Sequence, residues 1–400
     1  MLTKLGPKRY SGSLKSTHGI GVGDQTVMTI WRGFTYVISN SSRVTTQDVA
    51  VHAGGYMAIQ EMDGPGNHVY RNVQLVPRNG RLLSSNADGF HSSDMDHAPL
   101  FDNVHLDSMG DDYFNFQTSL LFVMGVKPAT DGQGQLLTVL HPHVSDQPDN
   151  VVGILDEWYG TTEPLLRVRG SEELLVYDPV SMTRMGSGRV TTAGFGARVL
   201  STTAQSETST IGKAANALYD VTRKGMQCKP SSPQPCVPYN FPSFTKQHYP
   251  QQRWRASVYE VVLDAATSLP PQTRPGAMAA VSYVLQIAKT QTTGARVINS
   301  LFEDSTAFFG RWKSSHSLLE NCTFRTNGNP ELEMQLIGSF YEGPISITNV
   351  TIRGNRFEVN KRSREDGTMK DIITMDGDGH CCNVTDLSLI ENTITLIGAG

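Results

Sequence analysis

A short unit, Asn or Asp followed by alternating aliphatic and polar residues, returns along this chain at a spacing that few folds can use. It reads Asp48-Val49-Ala50-Val51, Asn72-Val73-Gln74-Leu75 and Asn103-Val104-His105-Leu106 in the first part of the chain. It returns in the last part as Asn299-Ser300-Leu301-Phe302, Asn321-Cys322-Thr323-Phe324, Asn355-Arg356-Phe357 and Asn392-Thr393-Ile394. Successive units are 22 residues apart between Asn299 and Asn321 and 24 between Asp48 and Asn72, lengthening to 31–37 where loops intervene. A period near 22 is the size of one turn of three short strands. Each turn gives inward aliphatic residues to a shared core, and its strands stack on the next turn at about 4.8 Å. Asn at the bend tolerates left-handed backbone and can hydrogen-bond its counterpart in the next turn. An antiparallel sandwich also has short strands, but it does not usually repeat Asn-x-x-Phe at near-constant spacing. The fold expected is therefore all-β, a right-handed parallel β-helix.

The period vanishes between residues 126 and 290. Thr138-Val139-Leu140, Leu166-Arg167-Val168-Arg169, Glu173 to Tyr177, Ala197 to Leu200 and Ser257 to Leu263 read there as strands divided by turn residues. Residues 226–252 form a loop rich in Pro, Ser and Gln. This suggests three parts: a first stretch of β-helix over 1–125, an inserted antiparallel β-domain over 126–290, and a continuation of the helix over 291–400. The last residues, Leu396-Ile397-Gly398-Ala399-Gly400, look like the middle of a turn. A solenoid needs a cap over its last apolar layer, so a fragment of a longer secreted or cell-surface protein is expected. The start lacks the apolar core of a signal peptide. Cys228 and Cys236 flank the Pro-rich loop and could be bridged in an oxidising compartment or remain free thiols.

Charge and hydropathy narrow the partners. The formal net charge is −4 and no basic run interrupts it, which argues against nucleic acid. No apolar run reaches the roughly 18 residues of a membrane span. Nothing in the sequence sets an oligomeric state.

The densest chemistry lies in Asn86-Ala87-Asp88-Gly89-Phe90-His91 and Gly110-Asp111-Asp112-Tyr113-Phe114-Asn115. Asp88 precedes Asp111 and Asp112 by 23 and 24 residues, one turn, so their side chains should stack. Gathered carboxylates repel, which should raise the pKa of at least one of them and divide acid from base, as glycoside hydrolysis requires. The same residues also read as solvated turns or as ligands for Ca²⁺. His91 could bind substrate, orient a carboxylate or serve the structure alone. Asp94-Met95-Asp96-His97, His141-Pro142-His143 and Asp376-Gly377-Asp378-Gly379-His380 look metal-like but read better as polar turns and loops. Gly19-Ile20-Gly21-Val22-Gly23-Asp24 lacks the Lys-Ser/Thr of a phosphate loop. No cofactor or metal is expected. Tyr56, Tyr113 and Trp158 could stack on a sugar, although buried aromatics are commoner.

These two strings resemble the signature of the β-helical α-1,3-galactosidases, glycoside hydrolase family 110. Thr46-Gln47-Asp48-Val49-Ala50-Val51, Tyr70 to Pro77 and Tyr341 to Phe357 are similar to other turns of that family. The resemblance implies release of terminal α-linked galactose from an oligosaccharide or polysaccharide, with inversion and without metal. It implies Asp111 and Asp112 as the paired catalytic aspartates and Asp88 as an acidic catalytic residue. His91, Asn115 and Glu342 would touch substrate. Where the family follows its Asp-Asp with Ala-x-Asn-x-His, this chain has Tyr113-Phe114-Asn115-Phe116-Gln117. A further Glu is expected some 35 residues on, and Asp146, Asp149, Asp156 and Glu157 lie near that place. The Asp pattern is also similar to polygalacturonases, which add Gly-His-Gly and Arg-x-Lys; neither is found in the expected place. A non-catalytic carbohydrate-binding or adhesion β-helix is the alternative from another class.

Overall fold

In all but the last two repeats the Asn or Asp occupies a bend between two short strands or strand halves, and those strands pair in parallel with the ones of the next repeat. The computed structural model describes residues 2–6, 9–12, 35–78, 80–129, 134–145, 173–178, 184–201, 253–263, 269, 283–305, 310–326, 332–333, 342–360, 373–374 and 383–397. Their regular structure is all strand, with no helix among them; none, therefore, is long and apolar enough to cross a membrane.

One large sheet is parallel throughout. It runs from Thr45–Val51 and Val69–Leu75 through Leu100–Asp102 and His105–Asp107 to Arg296–Ile298 and Leu301–Glu303, and on to Asn383–Ile390 and Thr393–Ile397. Its inward rows are continuous: Leu75 faces Leu106, which faces Phe302, then Phe324, Phe357 and Ile394. The rings of Phe302, Phe324 and Phe357 stack at 4.7 and 5.0 Å between centroids. At the bends Asp48, Asn72, Asn103, Asn299 and Asn321 hold φ between 52° and 56°. The Asn72 amide donates to Asp48 at 2.6 Å, and Asn321 to Asn299 at 2.8 Å. A short polar side chain that tolerates this backbone and can bond to its neighbour above or below is what such a stack selects.

The last two repeats depart from the sequence reading by one residue. Gly354 (φ 62°) and Glu391 (φ 53°) occupy the bend, not Asn355 and Asn392. Asn355, 1% exposed, turns inward instead. Its carbonyl accepts from the Cys322 N–H at 2.9 Å and its amide donates to the Leu319 carbonyl at 3.0 Å. Beyond the bend the carboxamide satisfies backbone groups of the adjacent circuit that burial would otherwise leave unpaired.

The second sheet carries Tyr36–Ser39, Ile59–Met62, Phe90–Ser93, the start of Phe114–Pro128, and Arg311–Trp312, all paired in parallel. Between the two sheets Phe90 meets Tyr70 and Phe101 at 4.9 and 4.5 Å, and Phe116 meets Trp312 at 5.4 Å. Side chains alternate across a strand. With Phe90, Phe114 and Phe116 in the core, the register row Gln60, His91, Asn115 and Arg311 faces away from it.

Past Ser119 the same strand changes partners. Its far half pairs antiparallel with Gln135–Ser145 and Tyr283–Ile287. Glu173–Tyr177, Arg184–Ser201 and Arg253–Leu263 extend this antiparallel part. It buries a second cluster around Leu121, Val123, Val139, Val176 and Leu285. The antiparallel strands thus belong to one sheet with the parallel ones, joined through Phe114–Pro128. Leu166 to Arg169, the 226–252 loop with Cys228 and Cys236, and Cys381 and Cys382 lie outside the described residues.

Candidate functional site

The aspartates converge because of where they stand in the stack. The Gly89 N–H donates to the Asp112 carbonyl, and the Ala58 N–H to the Asp88 carbonyl, each at 2.9 Å. Phe90 then faces Phe114. Asp88 and Asp112 therefore hold the same position in successive circuits, just before the strands of the second sheet. One oxygen each of Asp88, Asp111 and Asp112 lies within 4.8 Å of the others. Two glycines permit this approach. A Cβ on Gly110 would lie 2.6 Å from the Asn86 carbonyl group, and one on Gly89 would lie 2.8 Å from the Tyr113 carbonyl oxygen. Ser305 fastens the outer circuit, its hydroxyl donating to the Asp111 carbonyl at 2.6 Å and its N–H to the Tyr113 hydroxyl at 3.0 Å.

Burial divides the three. Asp88 is 4% exposed and Asp112 1%, whereas Asp111 is half-buried. The two sealed carboxylates meet protein cations or donors. His91 Nδ1 lies 2.7 Å from Asp88, and Arg311 Nε lies 3.3 Å from Asp112. A carboxylate can only accept, so the His91 ring donates through Nδ1 and leaves Nε2 to accept from the Gln117 amide at 2.8 Å. The second hydrogen of that amide goes to the Ser93 hydroxyl at 3.1 Å, which is also 3.5 Å from the Gln60 amide. The result is a chain of polar side chains, Asp88–His91–Gln117–Ser93–Gln60, along the outward face of the second sheet.

Asn115 stands between His91 and Arg311 in register and is 3% exposed. Its carbonyl oxygen, and that of Gln117, are buried with no hydrogen-bond partner among the described residues. Glu342 pairs through its backbone with Ser119, four residues further along the Asn115 strand; its side chain is outside the described set.

Sequence reasoning did not find Arg311. It occupies the circuit next to Asp112, yet 199 residues separate the two in the chain because the antiparallel strands intervene. Arg311 opens an Arg-x-Lys run, Arg311-Trp312-Lys313, whose Lys313 is fully buried. That run was the available signal, hidden by the length of the insertion. Gln60, Ser93 and Gln117 were missed because only the register reveals their shared face.

Other candidates resolve as structure. Tyr113 takes the commoner of its two expected uses and is fully buried beside Phe302. Asp94 accepts from the Ser119 backbone and hydroxyl and from Thr118, and Asp96 pairs with Lys289 at 2.9 Å. A second cluster, His105, Asp107 and Glu303, lies on the other sheet, where Glu303 meets His105 at 2.8 Å and Arg325 at 2.7 Å. Trp158 and the carboxylates from Asp146 to Glu157 lie outside the described residues. No protein-family model and no curated protein matches this chain.

Proposed function

We propose that the chain is a glycoside hydrolase built on a right-handed parallel β-helix, with residues 126–290 as its inserted part and Asp88, Asp111 and Asp112 at its reacting centre. Within that class, we read it as an enzyme that releases terminal α-linked galactose with inversion. The observation that carries the reading is the meeting of three carboxylates, 23 and 24 residues apart in the chain, within 4.8 Å on the rim of a polar sheet face. The sugar itself rests on the resemblance to the family 110 galactosidases.

The spacing supports a division of roles. Inverting glycosidases hold acid and base about 6.5–9.5 Å apart to leave room for water. The three aspartates are closer than that, so in this reading they form the water side of the site. Asp111 is the reachable base, and Asp88 and Asp112 hold the charge that keeps it aimed. The acid that protonates the leaving oxygen is then Asp88, if substrate binding separates it from Asp111, or a carboxylate from outside the trio. His91, Asn115 and Glu342 contact the substrate.

The test is galactose release from α-1,3-linked galactosides by the parent chain, Asp111→Asn and Asp112→Asn. General base catalysis contributes roughly 10²–10⁴-fold, and losses of that order are expected in both variants. Equal release by all three proteins discards the assignment. The first anomer seen by NMR separates the two carboxylate geometries. β-Galactose supports inversion, with acid and base farther apart than the trio's own spacing; α-galactose would place acid and nucleophile both within the trio, near the about 5–5.5 Å of retaining enzymes.

The burial of Asp88 and Asp112 favours one other reading, a carbohydrate-binding β-helix without turnover. It predicts glycan binding that survives both Asp changes and no product from any form.

A further inference from the structure

Buried polar atoms are nearly always paired, because desolvating an unpaired one costs about as much as a lost hydrogen bond. Two acceptors next to the aspartate trio break this rule. The Asn115 carbonyl oxygen and the Gln117 carbonyl oxygen are both inaccessible and both lack a donor among the described residues. The Gln117 amide gives its two hydrogens to His91 and Ser93, and with the His91 proton on Nδ1, turning the amide over would set its oxygen against the Nε2 lone pair. Asn115 is 3% exposed and lies in register between His91, the partner of Asp88, and Arg311, the partner of Asp112.

Residues 115 and 117 sit two apart on one strand, so their side chains leave the same sheet face about 6.6 Å apart at the backbone. Two oxygens projecting from that base can converge on hydroxyls of one pyranose ring. The Gln117 atom left over is an acceptor and the Asn115 carboxamide is unpaired as a whole among the described residues, so the group that completes them must be able to donate. A ring bearing several hydroxyls does so, and one stripped of them does not.

We infer that Asn115 and Gln117 are a pair of hydroxyl readers, whose buried carbonyl oxygens accept hydrogen bonds from two hydroxyls of a sugar ring held against Asp111. This rests on the site being a carbohydrate site, and it goes further by naming which residues determine the sugar's identity and through which atoms. Gln117, standing where the resembling family has His, becomes a specificity residue here.

The experiment is a cycle between protein and ligand. Binding of methyl α-galactopyranoside and its 2-, 3-, 4- and 6-deoxy derivatives is measured by calorimetry with the parent, Asn115→Ala, Asn115→Asp and Gln117→Leu. One deoxy derivative should bind the parent about tenfold more weakly, in line with one neutral hydrogen bond. Asn115→Ala should bind that derivative and the full sugar alike. Asn115→Asp, which keeps an acceptor, should restore the difference and show that the fold is intact. Gln117→Leu should abolish discrimination at a different hydroxyl. The inference is overturned if Asn115→Ala weakens every derivative by the same factor, if it changes nothing, or if the parent binds no member of the set. Failure of the hydrolase reading is seen separately, as binding with this pattern but no galactose released from the α-1,3-linked substrate.

Discussion

Glu61 shows what a single residue can cost this fold. It sits in Ile59–Met62 and is 2% exposed, its carboxyl accepting from the Tyr70 hydroxyl at 2.7 Å and the Ser92 hydroxyl at 2.9 Å. Burial pushes its pKa up to about 7, against the two hydrogen bonds that pull it down. The folded protein therefore holds a proton on Glu61 that the unfolded chain releases near 4.5. The stability linked to it is fully present below that value and is lost as pH rises to about 7, by about 3 kcal/mol in all. Urea unfolding between pH 4.5 and 8 should show this decline, and Glu61→Gln should flatten it. At the aspartate trio a different residue-scale outcome is expected. His91 and Arg311 already meet two of the carboxylates, so chelator treatment should leave galactose release unchanged. Loss of activity on chelation, restored by Ca²⁺, would instead make the trio a metal site.

At the scale of elements, the bends and the glycines carry the argument. Asn321 combines a left-handed backbone with a bond to Asn299. Asn321→Ala should cost about 1–2 kcal/mol from the backbone alone. Asn321→Gly should cost less, because only the side-chain bond is lost; Gly354 shows that the bend accepts glycine. Denaturant midpoints of the two variants check that order. Gly110 has a sharper role. Its missing side chain lets the Asp111–Asp112 segment lie against Asn86. Gly110→Ala should lower galactose release by more than it lowers the melting temperature, because it separates the aspartates before it unmakes the sheet. The bend pattern was readable in the sequence, since period and residue type both report it. The shift by one residue at Gly354 and Glu391 was not, because Asn355 and Asn392 preserve the letter of the pattern while serving the adjacent backbone from inside.

Over the whole molecule, one core runs from Ile38 to Phe357 between the two sheets, while a second serves the antiparallel strands. Stacked circuits touch mainly their neighbours, so damage should spread locally. Phe324→Ala, in the middle of the Phe302–Phe324–Phe357 stack, should cost about 3–5 kcal/mol. Hydrogen exchange should rise most in residues 296–326 and 346–397 and least in 45–75. What the sequence alone determined was repetitive: the spacing of Asn bends, the all-strand character, and the gathering of Asp88 with Asp111 and Asp112 one period later. Each of these follows from a rule that acts at every turn and so leaves a periodic trace. What only the tertiary structure decided was the company those residues keep. Arg311 reaches Asp112 across the antiparallel insertion, and Glu61 reaches Tyr70 across the core. Asn115 is sealed on a sheet face with its carbonyl oxygen unmatched. Such pairings depend on which strand lies beside which, and hydrogen-bond register joins residues by position in space, a quantity that distance along the chain does not carry once a long segment intervenes.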